Sequence, residues 1–112
     1  MSSASKRKGS SAERDVVNYL KRKGWKYAER RIAGDTYDRG DIAGLPEVCL
    51  EVKNQKTQSL SEWVKELEIE TKNAKAETGA VIHKKRGVSD VGKWYATMPV
   101  EVYVQLLKKA GY

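Results

Sequence analysis

Apolar residues recur at helical spacing in three stretches and alternate, or cluster, between them. Ala12, Val16, Val17 and Leu20 share one helical face, which predicts a first helix opening at a Ser10 or Ser11 N-cap and ending at Gly24. Leu60, Trp63, Val64 and Leu67 follow the i, i+3, i+4, i+7 pattern of a second helix, capped by Ser59 or Ser61 and running to about residue 77 with Glu and Lys on its outer face. Pro99 opens a third helix, with Val100, Val102, Tyr103, Leu106 and Leu107 available for packing. Strand patterns cover residues 25–32, 41–43, 48–54, 79–84 and 94–98, with polar Gly-containing loops at 33–40 and 86–93. The predicted order is α-β-β-β-α-β-β-α. It implies an α/β fold with a mixed five-stranded sheet flanked by helices.

The chain has 112 residues, the size of one domain, assigned to residues 10–112. Residues 1–9 are small, polar and basic, and read as a disordered arm. No apolar stretch follows that basic start, so no secretory signal is predicted. No run approaches the roughly 20 apolar residues of a membrane span. Cys49 is the single cysteine, which forbids an intrachain disulfide and fits an intracellular, cytoplasmic protein. Between Val48 and Leu50 it reads as a buried structural thiol. The single histidine, His83, has no partner at zinc-ligand spacing.

The net charge of +7, with 22 Lys and Arg against 15 Asp and Glu, points to a polyanionic partner. Basic clusters fall at Lys6–Lys8, Lys21–Lys23, Arg30–Arg31, Lys84–Arg86 and Lys108–Lys109. Acids concentrate between Glu62 and Glu70, so the basic surface elsewhere is stronger than the net figure.

The chemistry lies in residues 40–53. If 45–47 form a hairpin loop, Gly44 pairs with Val48, Ala43 with Cys49, Ile42 with Leu50 and Asp41 with Glu51. Opposed residues share a face, and alternation adds Lys53 to it. Facing carboxylates repel, and a hard divalent cation compensates them. Lys53 could then orient or deprotonate the attacking water, or stabilise charge on a phosphate. Val48, Leu50 and Val52 point into the core. Glu13 sits at the edge of the first helix's apolar stripe. As the N-terminal acid of a helix it has an ordinary dipole role, and as a neighbour of the carboxylates it has a functional one. Trp63 reads as core packing, and one of Trp94 and Tyr95 faces inward.

Ala12-Glu13-Arg14-Asp15, Arg39-Gly40-Asp41-Ile42 and Glu51-Val52-Lys53-Asn54 together resemble the PD-(D/E)XK nuclease superfamily. Within it, they resemble the archaeal-type Holliday junction resolvases and their phage-encoded relatives. The resemblance spans about residues 10–110. It implies a restriction-endonuclease-like fold, with Asp41, Glu51, the Val52 carbonyl and Glu13 around one or two Mg²⁺ or Mn²⁺ ions. Lys53 would be the catalytic lysine. It implies a homodimeric endonuclease cutting branched DNA at four-way junctions, cytoplasmic, and in the host cytoplasm if phage-encoded. Gly40 stands where the motif usually has proline. Arg30, Arg31, Arg39, Gln55, Lys84, Lys85 and Arg86 are candidate DNA contacts. The alternatives are another nuclease of the superfamily (a nickase, a repair or a restriction-like enzyme) or a non-catalytic nucleic-acid-binding module.

Overall fold

β3 (Val48–Lys53) is buried on both faces, and the other elements arrange themselves around it. A computed structural model describes residues 3–31 and 37–112, with side chains from Lys6 onward. Strand residues alternate in direction. Leu50 and Val52 therefore pack against Ala12, Val16 and Val17 of α1 (Ser3–Arg22). Cys49 points the other way, to Trp63 and Leu67 of α2 (Leu60–Asn73). α2 is the crossover from β3 to β4 (Thr78–His83), and the two strands are parallel. β5 (Tyr95–Thr97) then pairs antiparallel with β4. α3 (Val100–Lys109) closes the chain. β1 (Glu29–Arg30) and β2 (Ile42–Ala43) form a separate antiparallel pair. A short 3-10 helix, Val91–Lys93, occupies the loop before β5.

The α/β class and the element order agree with the sequence pattern, but among the described residues the five strands form two sheets, of two and three strands. The expected hairpin ladder between β2 and β3 is replaced. β2 pairs with β1 in the register Glu29 to Ala43 and Arg30 to Ile42. Gly44 supplies the reason. It has φ +91°, and a Cβ there would lie 2.0 Å from the carbonyl oxygen of Tyr27. The chain thus turns tightly against the segment leading into β1, a close approach open to glycine alone. The Asp41 N–H still donates to Leu50 O, and Val52 N–H donates to Asp41 Oδ2, so one side chain does part of the work of a strand.

Three boundaries also move. α1 starts at Ser3, so residues 3–9 are helical rather than an arm. Ser, Ala, Lys and Arg are acceptable in a helix, and the penalty for Gly9, about 1 kcal/mol, does not stop it. α2 ends at Asn73 rather than near 77, because Lys75 turns the chain with φ +53°. β1 spans two residues only; its expected end at Ile32 and loop positions 33–36 lie outside the described residues. No α3 residue is buried, so its apolar positions lie on the periphery. Trp63 is core, at 3 % exposure, and Trp94 is inward while Tyr95 is outward. Cys49 is buried, its thiol pushed up to about 11 by burial first of all. Among the described residues, no helix is long and apolar enough to cross a membrane.

Two glycine substitutions separate strain from contact. Gly87 has φ +76° with open space around its Cβ position, so Gly87→Ala carries backbone strain alone, roughly 1–2 kcal/mol. Gly44→Ala adds the collision with Tyr27, for a total of about 3 kcal/mol or more. Urea titration of both variants measures this; equal midpoints would contradict the role given to Gly44.

Candidate metal centre

Asp41 sits between the two sheets and is held on three sides. Its N–H donates to Leu50 O at 2.8 Å, its carbonyl accepts from Arg31 N at 2.9 Å, and its Oδ2 accepts from Val52 N at 2.8 Å. Gly40, just before it, has φ +93°, and a Cβ there would lie 2.8 Å from Leu50 O. Proline, fixed near −65°, cannot adopt that conformation. The glycine in place of the motif's usual proline is thus required by how this chain enters the site.

Glu51 follows Leu50 on β3 and faces α2, where it is 5 % exposed. α2 brings Glu70 to the same spot, 2 % exposed, one helical turn beyond the core residue Leu67. Asp38, in the loop before Asp41, completes the group. One carboxylate oxygen from each of Asp38, Glu51 and Glu70 lies within 4.8 Å of the others. Asp38 is set by its own loop, with Oδ1 accepting from Gly40 N and its carbonyl from Asn73 Nδ2. Oε2 of Glu70 is buried and has no hydrogen-bond partner among the described residues.

Ionising all three acids would be costly. Unit charges at that separation repel by about 3 kcal/mol per pair at an effective dielectric near 20. Three pairs reach about 10 kcal/mol, comparable to the entire stability of a small domain. Without a cation the cluster must hold protons. Glu51 is pushed far above the carboxylate range by burial, then by its bond to Asp41 and that group's charge, and then by Glu70. Glu70 is raised by burial and by Asp38 and Asp41, while its bond to Glu51 pulls it back. Burial is the largest cause for both groups, and Glu51, the more strongly raised, is the one that holds its proton most firmly.

Lys53 continues the face of Glu51. Its Nζ lies 3.8 Å from Glu51 Oε2 and 3.1 Å from Glu66 Oε2, on the turn of α2 before Glu70. Burial alone would lower the Lys53 pKa, but the bond to Glu66 and the adjacent carboxyl groups of Glu51, Glu66 and Asp41 raise it overall. The side chain is therefore an ammonium at neutral pH. Glu13 reaches toward the same region from α1. Burial raises its pKa, as does the charge of Asp41, against the lowering effect of Arg30, whose Nε donates to Glu13 Oε1 at 3.0 Å.

The sequence-predicted residues thus divide. Asp41, Glu51 and Lys53 come together. Glu13 is electrostatically linked to Asp41 but lies outside the tight carboxylate group, as does Asp41 itself. Val52 contributes its N–H to Asp41, with its side chain in the α1 core. Arg30 is engaged within the chain, by Glu13 and by Ser10 Oγ at 3.1 Å, which argues against a DNA contact. The Nε of Arg31 is buried, its backbone serves Asp41, and Arg39 is exposed. Lys84 N bonds to Lys53 O, which brings residues 84–86 to the end of β3 that leads to Gln55. Lys85, Arg86 and Gln55 are exposed there, while the Lys84 ammonium lies 5.6 Å from the Trp94 ring centre. Asp38 and Glu70 were not singled out from the sequence. A signal for Glu70 existed: it stands seven residues after Trp63 and three after Leu67, on the buried stripe rather than the outer face.

Comparisons with family models, curated proteins and solved structures find no match. The chemical character of the site therefore rests on its geometry.

The raised Glu51 pKa has a sign that can be tested. An unfolded glutamate titrates near 4.5, and the folded group titrates well above it. Its contribution to stability is complete below the unfolded value and is lost as pH rises through the folded one. With a chelator present, Glu51→Gln should exceed the wild type in stability at about pH 8 by on the order of 1–2 kcal/mol, or roughly 5–10 °C in Tm, with the gap closing near pH 4. Thermal melts across that range check it. A variant less stable at every pH would contradict the protonated cluster.

Proposed function

We propose that this protein is a divalent-metal-dependent endodeoxyribonuclease that hydrolyses phosphodiesters in branched DNA, with the four-way junction as its substrate. The observation that carries the proposal is the carboxylate group of exposed Asp38 with buried Glu51 and Glu70, next to Asp41 and with Lys53 Nζ 3.8 Å from Glu51. Hard oxygen donors suit Mg²⁺ or Mn²⁺, and the unpartnered Glu70 oxygen is the kind of group such an ion satisfies. Asp41, Glu51, the Val52 carbonyl and Glu13 would hold the ion or ions, with Asp38 and Glu70 as additional carboxylates. When bound, the cation neutralises phosphate charge and lowers the pKa of water.

Lys53, held as an ammonium, is suited to offset negative charge developing on the phosphate rather than to abstract a proton. Gln55, Lys85 and Arg86 supply polar and positive groups at the neighbouring end of β3 and β4, where ligands of parallel sheets commonly bind. Phosphates and shape, rather than base edges, would provide most of the binding. The element order and the Asp41, Glu51, Lys53 set support a restriction-endonuclease-like fold, despite the division into two sheets. Paired cuts across a symmetric junction call for a homodimer, and the exposed Val100 and Tyr103 of α3 support one. The single cysteine supports a cytoplasmic setting, that of the host if phage-encoded.

Synthetic four-way junctions should be cleaved with Mg²⁺ or Mn²⁺ in preference to linear, flapped or mismatched duplexes. Asp41→Asn and Glu51→Gln should each lose about 100-fold or more in rate while binding junctions within a few-fold of wild type. Glu70→Gln should lose roughly 10-fold. Undiminished cleavage by both the Asp41 and the Glu51 variants would end the proposal.

A further inference from the structure

The segment joining α1 to β1 has no part in the carboxylate site, yet it carries a concentrated chemistry of its own. Between Asp15 and Glu29 there is no acid, while Lys21, Arg22, Lys23 and Lys26 supply four positive charges. Three aromatic residues are interleaved with them. Trp25 is 45 % exposed and Tyr27 is 72 % exposed. The rings are already flanked by cations, with Lys26 Nζ 5.1 Å from the Tyr27 centroid and Lys23 Nζ 5.6 Å from that of Tyr19. The turn is fixed rather than loose. Trp25 N donates to Leu20 O, Ala28 N to Trp25 O, and the Tyr27 carbonyl abuts Gly44. Both large rings are thus open to solvent on a turn held in place by the main chain.

We infer that residues 19–27 form a binding surface for single-stranded DNA, with Trp25 and Tyr27 stacking on unpaired bases and the four cations following the phosphates. Charge selects a polyanion, and the exposed ring faces select one with free π surfaces. Duplex bases are already stacked on one another, whereas unpaired bases can stack on protein rings. β1 begins two residues later and carries Arg30, whose guanidinium holds Glu13. The choice of DNA rests on the proposed nuclease function, and the test below separates the two.

Binding of an oligo(dT) of about 15 nucleotides is measured by anisotropy in EDTA, with Trp fluorescence as a second readout. Trp25→Ala should weaken single-strand binding about 10-fold and duplex binding less than two-fold, Trp25→Phe should restore most of it, and the quenching on binding should vanish in Trp25→Phe. Lys23→Gln with Lys26→Gln should reduce the salt slope by roughly 1.4. Loss of Trp25 with single-strand affinity unchanged, an equal loss for duplex, or binding to anionic vesicles in place of oligo(dT) would overturn the surface. Metal-dependent cleavage could survive any of those results. Conversely, Trp25-dependent binding without cleavage would refute the nuclease function alone.

Discussion

Asp41 is the point through which the two sheets are joined. Its carbonyl takes the N–H of Arg31 from the β1 side, its N–H goes to Leu50 of β3, and its carboxylate takes the N–H of Val52. The last of these is unusual in kind, because a side-chain oxygen replaces the carbonyl that a neighbouring strand would offer. β3 has β4 along one edge; Asp41 partners part of the other. A carboxylate so held is placed beside Glu51 by the main chain, with little freedom of its own. The position of the acids is consequently a result of folding rather than of side-chain adjustment, as a site needing sub-ångström order demands.

That placement sets acids against burial. α2 must cover Cys49 with Trp63 and Leu67, and in doing so it sets Glu66 against Lys53 and, one turn on, Glu70 over Glu51. Replacing Glu70 by an apolar residue would relieve the repulsion and extend the core. The chain instead keeps a buried oxygen without a partner. Retaining a group that destabilises the cation-free fold makes sense where the group has a ligand. The two effects are linked by mass action: whatever binds the folded cluster and not the open chain returns the lost stability.

Much of this was legible in the residues, and the gaps have identifiable causes. Alternation from Glu51 to Lys53 is a property of one strand and survived intact. Adjacency of Asp41 to Glu51 also survived, although by a side-chain bond instead of the hairpin ladder. Strand pairing depended on Gly44 meeting Tyr27, a contact 17 residues apart that no local pattern encodes. Asp38 joins the site only because the loop folds back on Gly40 N and Asn73, which is likewise non-local. Glu70 was hidden differently. The acids of α2 are numerous, and a charged helix face is normally solvated, so the one acid on the apolar stripe was masked by its neighbours. α3 shows the opposite error, since a periodic apolar face predicts packing without saying against what.

The charge distribution ties these features together. A net charge of +7 coexists with a cluster of acids that, without a cation, adds no positive charge beside Lys53. The cations nearest the site along the sheet, Lys85 and Arg86, are few and exposed, and exposed charges are screened beyond about a Debye length. Under the proposed function, long-range attraction of a polyanion comes from the wider basic surface, with residues 21–26 its densest acid-free stretch. Under the proposed function, the carboxylate site takes up phosphate once a divalent ion is bound, and capture of nucleic acid by the basic surface would precede cleavage without any change of fold.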